Sequence, residues 1–275
     1  MSEELRITLV QPDLHWEHPS ANLEMFDEMI FGAEETDIFI LPEMFTTGFT
    51  MNAYSLAENN DSQVTDWMKI MAKKKNAVIT GSLVTEENGK YYNRLFWVEP
   101  TGKIFSYDKR HLFRMAEEDK TYTAGNKRLI VEYKGWRICP LICYDLRFPV
   151  WSRNRNLSID ENHVQLKPED KTAYDLLLYV ANWPEARSKP WKTLLEARAM
   201  ENQCYVAGIN RVGEDGKGIT YSGDSLVFDF KGETLSNAKA GEVSMIRSSL
   251  SLKQLKEFRN KFPAWMDGDG FQIGQ

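Results

Sequence analysis

The sequence predicts an α/β fold with two similar sheets and helices on their outer faces. Three observations point to it. Short apolar runs alternate with amphipathic stretches in the order strand–helix–strand–helix–strands, and nearly the same order then repeats. Apolar residues make up 42% and aromatic residues 12% of a 275-residue chain, which is enough for a large shared core. No Gly/Ser linker or composition break separates the halves, so residues 1–275 read as a single domain.

Leu5 to Gln11 alternates and is partly β-branched, as a first strand should be. Pro19-Ser20 opens a helix, with Leu23, Phe26, Ile30 and Ala33 at helical spacing. Asp37 to Leu41 is a wholly apolar short run after its first residue, so it reads as a buried strand stopping at Pro42-Glu43. Asp61 or Ser62 caps the next helix, whose apolar face is Val64, Trp67, Met68 and Met71. Lys73-Lys74-Lys75 is its basic last turn, which suits the helix dipole. Ala77 to Leu83 is a strand. Tyr91 to Val98 and Ile104 to Tyr107 form a hairpin about Pro100-Thr101-Gly102, ending at Asp108-Lys109.

The stretch from Arg110 to Arg128 is long and charged, which marks a functional loop rather than a connector. Leu129 to Tyr133 and Trp136 to Ile142 pair around Lys134-Gly135, and Phe148 to Arg153 is irregular or briefly helical. The polar residues 154–172 read as a surface insertion. Ala173 to Val180 is a strand, and Ser188 caps a helix through Leu194, Leu195, Ala199 and Met200. Cys204 to Asn210 is a strand. Asp224 to Phe230 and Glu242 to Ile246 are expected to form a hairpin around Lys231-Gly232. Leu252, Leu255 and Phe258 mark a last helix. The tail 262–275, with Phe262, Trp265 and Phe271, is ordered only if it packs somewhere, a partner subunit being one place.

Composition excludes some functions. The net charge is −6 with no basic stripe, so nucleic acid is not expected as a partner. No apolar run approaches the roughly 20 residues that span a bilayer, so no membrane partner is expected either. Met1-Ser2-Glu3-Glu4 lacks the form of a secretory leader. Three cysteines, few and odd in number, favour free thiols and a reducing, cytoplasmic setting. His15-Trp16-Glu17-His18 reads as a solvated loop, not a zinc site. Gly213 to Gly218 has the wrong spacing for a phosphate loop and reads as a turn. No G-x-S-x-G motif supports a serine hydrolase.

Three buried runs end in Glu43, Lys109 and Cys143. Singly, each has an ordinary reading: a turn carboxylate, a surface ion pair with Asp108, and a small core hydrophobe, which Cys139 is expected to be. Jointly they suit acyl transfer. A cysteine thiol is mostly protonated at neutral pH, and a carboxylate beside it can accept that proton. A fixed ammonium, with the Tyr144 backbone N–H as second donor, can hold the oxyanion.

Leu41-Pro42-Glu43-Met44-Phe45, Tyr107-Asp108-Lys109-Arg110-His111-Leu112-Phe113 and Leu141 to Pro149 together resemble the nitrilase superfamily of carbon–nitrogen hydrolases. Tyr179 to Pro184 and Ala197 to Asn202 add to the match, which spans essentially the whole chain and looks closest to the omega-amidase branch. The resemblance implies a four-layer α-β-β-α sandwich and a homodimer or higher homo-oligomer. It implies Glu43 as general base, Lys109 as oxyanion stabiliser and Cys143 as nucleophile. Glu118 matches the family's second glutamate, with Glu117 as the fallback. The implied reaction is cofactor-free and metal-free hydrolysis of small dicarboxylic monoamides such as 2-oxoglutaramate, succinamate and glutaramate. Residues 154–172 are longer than the family's usual connection there.

An omega-amidase must also hold a free carboxylate. Arg147 could bind it bidentately, or could pair with Asp145 or the loop carboxylates. Phe45, Tyr144 and Trp183 follow strand ends and could wall the pocket or belong to the core or a subunit interface. Other amidases, carbamoylases and nitrilases would use the same three residues. A catalytically silent interaction scaffold is the reading from another class.

Overall fold

The computed structural model describes residues 3–59, 62–155, 160–162, 172–269, 271 and 273. In chain order the first half holds β1 (Glu4–Gln11), α1 (Pro19–Phe31), β2 (Ile38–Ile40), α2 (Ala53–Leu56), α3 (Gln63–Lys75), β3 (Val78–Glu87), β4 (Lys90–Val98), β5 (Ile104–Asp108) and α4 (Glu118–Thr121). The second half holds β6 (Arg128–Tyr133), β7 (Trp136–Ile142), β8 (Asp160–Asn162), β9 (Leu176–Val180), α5 (Ser188–Asn202), β10 (Tyr205–Ile209), β11 (Val212–Glu214), β12 (Thr220–Ser222), β13 (Leu226–Phe228), β14 (Thr234–Asn237), β15 (Ser244–Ser251) and α6 (Leu252–Lys261).

One sheet has the order β15-β1-β2-β3-β4-β5 and the other β14-β13-β10-β9-β7-β6-β8. Their centres, β1-β2-β3 and β7-β9-β10, are parallel. Parallel centres covered on both faces explain the apolar runs read from the sequence. In β2, Ile38 and Ile40 face the core between the sheets, while Phe39 turns to the helices. The inter-sheet core sets Leu5, Ile7 and Leu9 of β1 with Ile138 and Leu141 of β7 and Leu176 and Leu178 of β9. On the far side of the first sheet, α1 and α3 bury Phe26, Ile30, Met68 and Met71. On the second, Trp191 and Leu195 of α5 approach Gly208 of β10 so closely that a Cβ there would meet Leu195 at 2.5 Å. The result is the α-β-β-α sandwich.

Helix α3 begins as expected: the Ser62 hydroxyl accepts from the Thr65 N–H at 3.3 Å, and Asn76 ends it in the left-handed region at φ 49°. The alternative cap, Asp61, lies outside the described residues. Ser188 does not cap α5. A 3-10 turn, Glu185–Arg187, leads into the helix, and the Ser188 hydroxyl donates instead to Asp224 at 2.7 Å. Met200 of α5 is exposed, not part of its buried face.

The expected hairpin of 224–230 with 242–246 does not form. β13 pairs with β14 around Lys231-Gly232, and β15 runs antiparallel to β1 in the other sheet. Two apolar runs with a turn between them are ambiguous when a short, mostly exposed strand such as β14 intervenes. The hairpin β11–β12 was not anticipated; Gly213 to Gly218 falls within it. Of the polar stretch 154–172, residues 156–159 and 163–171 lie outside the described residues. Between them, β8 adds an edge strand parallel to β6. The tail packs partly on its own chain: the Trp265 N–H donates to Gln203 at 3.2 Å, and the Gln203 side chain donates to the Phe262 carbonyl at 2.9 Å. Residues 270, 272, 274 and 275 lie outside the described residues.

Phe45 belongs to the core and not to a pocket wall. Its ring meets Phe26 edge-on at 5.5 Å and Trp67 at 6.0 Å, and Gly81 of β3 leaves it room. The chain turns inward after Pro42, so the side chain two residues past Glu43 enters the layer beneath α1 and α3. Phe45→Ala should therefore destabilise the fold by about 3–5 kcal/mol, measured by urea unfolding. A pocket-wall residue would show weaker substrate binding at nearly unchanged stability.

Candidate active site

Strand β5 runs in the same direction as β3, through the two antiparallel pairings of β4. The chain therefore leaves β2, β5, β7 and β9 at carboxyl ends, and the residues just past those ends are Glu43, Lys109, Cys143 and Asn182. Ligand sites of open parallel sheets form at such ends.

Lys109 is 1% exposed and Glu43 and Glu118 are both 0% exposed. The Lys109 ammonium donates to Glu43 Oε1 at 2.8 Å and to the two Glu118 oxygens at 2.9 and 3.0 Å. The carboxylates have further donors. Asn93 Nδ2 lies 2.8 Å from Glu43 Oε1 and 3.3 Å from Glu118 Oε1. The Asn182 N–H donates to Glu43 Oε2 at 2.9 Å, and the Phe113 N–H to Glu118 Oε2 at 2.5 Å. Asn182 Nδ2 also donates to the Glu43 carbonyl. Burial pulls the ammonium toward neutrality, but Glu118 and Glu43 outweigh it, so its pKa lies above the ordinary lysine value. Burial raises the Glu118 carboxyl; Lys109 opposes this, and Glu43 adds to it. Glu117, by contrast, sits at the surface with Lys120.

The loop between β5 and β6 provides this arrangement. A 3-10 turn, Arg114–Ala116, ends at Glu117 with φ 59°, and α4 starts at Glu118. That left-handed residue turns Glu118 inward beneath its own Phe113 N–H.

Cys143 follows β7 with φ 42°, a backbone conformation that costs a non-glycine residue roughly 1–3 kcal/mol. It starts a 3-10 turn, Cys143–Arg147, held by buried Asp145. Asp145 accepts from the Ile142 N–H at 3.1 Å, the Tyr107 hydroxyl at 2.7 Å and the His111 N–H at 3.0 Å. Cys143 is 9% exposed, and its sulfur lies 3.9 Å from the Asn182 carbonyl oxygen. Burial raises its pKa well above the usual thiol value; Glu43 adds to the rise, and Lys109 opposes it. Cys139 and Cys204 are 0% exposed core residues.

Cys143 and Lys109 border a cavity of 380 Å³, of the size that small-molecule sites occupy. Tyr144, Arg147 and Trp183 also border it; Phe45 does not. Arg147 lies over the Trp183 ring at 5.2 Å and pairs with neither Asp145 nor a loop carboxylate among the described residues. Phe49, Phe113, Arg187 and Tyr221 are among the further wall residues and were not foreseen. They come from loops and from the β11–β12 hairpin, where only the fold defines which face points inward. Asn93 was missed as well, although an asparagine inside the apolar strand β4 is the kind of buried polar residue that needs a partner.

The carbon–nitrogen hydrolase family model matches residues 6–260. The omega-amidase YafV of Escherichia coli (strain K12) is 49% identical over 269 residues, covering 98% of each chain. The 2-oxoglutaramate amidase of Bacillus subtilis (strain 168) is 33% identical, covering 95% of this chain and 96% of its own. Among solved structures, XC1258 from Xanthomonas campestris is 43% identical with a TM-score of 0.93, and the match covers 100% of both chains. It is described as a CN-hydrolase superfamily protein with an arsenic adduct in the active site. The chain belongs to the carbon–nitrogen hydrolase family.

Proposed function

We propose that this hydrolase is a cysteine-dependent omega-amidase. Its substrates would be small dicarboxylic monoamides such as 2-oxoglutaramate, succinamate and glutaramate, released as the diacid and ammonia. The observation that carries the reading is the Lys109–Glu43–Glu118 cluster beside Cys143, in a cavity also bordered by Arg147. The likeness to relatives named omega-amidase and 2-oxoglutaramate amidase supports the substrate class.

In this mechanism Cys143 Sγ attacks the amide carbonyl carbon as Glu43 accepts the thiol proton. Burial disfavours the thiolate, so a base that takes the proton assists the attack. The oxygen becomes negative in the tetrahedral intermediate. The Lys109 ammonium and the Tyr144 N–H stabilise it, one such donor being worth about 2.7–4 kcal/mol. Glu43 returns its proton to the nitrogen, the C–N bond breaks, and ammonia leaves a thioester on Cys143. Water then attacks the thioester with Glu43 again as base, and the acid departs as the thiol reforms. Glu118 keeps Lys109 charged and aimed throughout. The two groups of this cycle that exchange protons, Glu43 and Cys143, come from different sheets.

Ammonia release from 2-oxoglutaramate and succinamate is the direct test, with a nitrile and an N-carbamoyl amino acid as controls. Wild type should prefer the monoamides, and Cys143→Ala should lose activity by roughly three orders of magnitude or more. Activity confined to a control would replace the omega-amidase reading with a nitrilase or carbamoylase one.

Thiol trapping gives a second outcome. Iodoacetamide should label Cys143 at least about tenfold faster than Cys139 or Cys204, since only the first borders the cavity. Because the Cys143 pKa is raised, its thiolate fraction should still be growing with pH where that of an ordinary cysteine has levelled off. Uniformly slow labelling, read by peptide mass spectrometry, would favour a silent scaffold.

Arg147→Ala should raise KM for succinamate by roughly 10-fold or more, as expected for losing a charge-assisted hydrogen bond. Equal losses for succinamate and a neutral amide would remove Arg147 from carboxylate binding.

A further inference from the structure

Most guanidinium groups in this chain are already engaged. Arg94 pairs with Asp108 and Glu87, Arg137 and Arg259 with Asp175, Arg198 with Glu201, and Arg211 with Asp13. Arg6, Arg114 and Arg247 also have acid partners. Arg110, Arg128, Arg153 and Arg155 donate to backbone carbonyls. Among the described residues, two arginines have neither a hydrogen bond nor an ion pair from the guanidinium: Arg147 and Arg187. Both border the catalytic cavity.

The two are held by the same framework. Arg147 ends the 3-10 turn after β7, and Arg187 ends the 3-10 turn after its parallel neighbour β9. Arg147 stacks on Trp183, and the Trp183 indole N–H donates to the Arg187 carbonyl at 2.7 Å. Arg187 lies over the Phe113 ring at 5.3 Å, and Phe113 in turn meets Tyr144 edge-on at 5.0 Å. Stacking on an aromatic face orients a guanidinium yet leaves its N–H fork unspent.

The local acids do not neutralise these groups. Glu43 and Glu118 are bound by Lys109. Asp215, on the cavity wall, accepts from the Tyr221 hydroxyl at 2.9 Å and from the Lys217 and Ile219 N–H groups at 2.8 and 3.0 Å. An oriented, uncompensated guanidinium in a pocket suits an anionic group on the occupant.

We propose that Arg187 is the second half of a two-guanidinium clamp that reads the carboxylate end of the substrate, Arg147 being the first. The proposal rests on the omega-amidase reading and extends it by naming a specificity residue outside the catalytic motifs. Two forks from adjacent strand ends can share one carboxylate, each taking one oxygen, with the opposite end of the substrate at Cys143. Such a clamp selects for charge, not for chain length alone.

The test compares wild type, Arg187→Ala, Arg187→Lys and Lys217→Ala on succinamate and on butyramide, which carries a methyl group in place of the carboxylate. Lys217 borders the same cavity from the exposed hairpin and controls for simple loss of positive charge. Arg187→Ala should raise KM for succinamate by roughly 10–100-fold with a much smaller change in kcat. That penalty should exceed the one on butyramide at least tenfold. Arg187→Lys should restore part of the affinity, as a point charge without the fork, and it keeps the test decisive if the alanine variant folds poorly. Lys217→Ala should cost less than Arg187→Ala. Equal losses on both amides, an unchanged KM for succinamate, or an equal penalty from Lys217→Ala would each overturn the clamp. If wild type shows no preference for succinamate over butyramide, the omega-amidase reading fails, and the clamp with it. If wild type prefers succinamate and Arg187→Ala is indifferent to the charge, the clamp alone fails.

Discussion

One buried ammonium between two buried carboxylates organises the catalytic edge of this protein. Taking such charges out of water costs several kcal/mol each, so they persist only where geometry and extra hydrogen bonds repay the loss. Lys109 provides the attraction, and Asn93, Asn182 and the Phe113 N–H supply further donors. Removing Lys109 would leave two carboxylates without a counter-ion in the interior, at a cost of about 3–5 kcal/mol. This explains why the polar residues around the cluster are themselves fixed. Ser82 donates to Asn93 at 2.8 Å and accepts the Met44 N–H at 2.9 Å, so the turn carrying Glu43 and the strand carrying Asn93 share one hydroxyl.

A further buried carboxylate, Asp145, does for Cys143 what Lys109 does for Glu43. Asp145 gathers donors from β7, from Tyr107 in β5 and from the start of the loop that carries Glu118. Those bonds hold the left-handed backbone at Cys143, which the residue would not adopt unaided. The proposed nucleophile is thus placed by main-chain strain that a neighbouring network sustains. The His111 ring, which bonds Asp145 at 2.7 Å and stacks on Phe148 at 3.7 Å, closes the outer side of that network.

Much of this was legible in the sequence where hydrophobic period and local chemistry agree. The parallel centres of both sheets read as apolar runs because both of their faces are buried, and Glu43, Lys109 and Cys143 stand where those runs or their hairpin partners stop. Glu118 was distinguishable from Glu117 only through resemblance, since adjacent glutamates in a loop carry no periodic cue; the left-handed turn at Glu117 separates them in space. Phe45 was read ambiguously because residues after a strand end can turn either way. The β15 pairing was misplaced because strand partners far apart in sequence leave no local mark: β15 completes the sheet begun by β1 at the other end of the chain. Arg187 escaped notice for the opposite reason. Nothing in its neighbourhood in sequence separates it from a surface arginine, and only the absence of an acid partner among the described residues does.

Glu43 leaves the first sheet, whereas Cys143 and Asn182 leave the second. The hydrogen bonds from Asn182 to Glu43 cross that boundary with both main chain and side chain. Neither layer therefore owns the catalytic apparatus, which exists only where the two meet. A slip of one sheet over the other would leave each layer's secondary structure intact while separating the proposed base, Glu43, from the proposed nucleophile, Cys143. Activity in this architecture is a gauge of alignment between layers, and it responds to loosening of the interface before the strands themselves come apart.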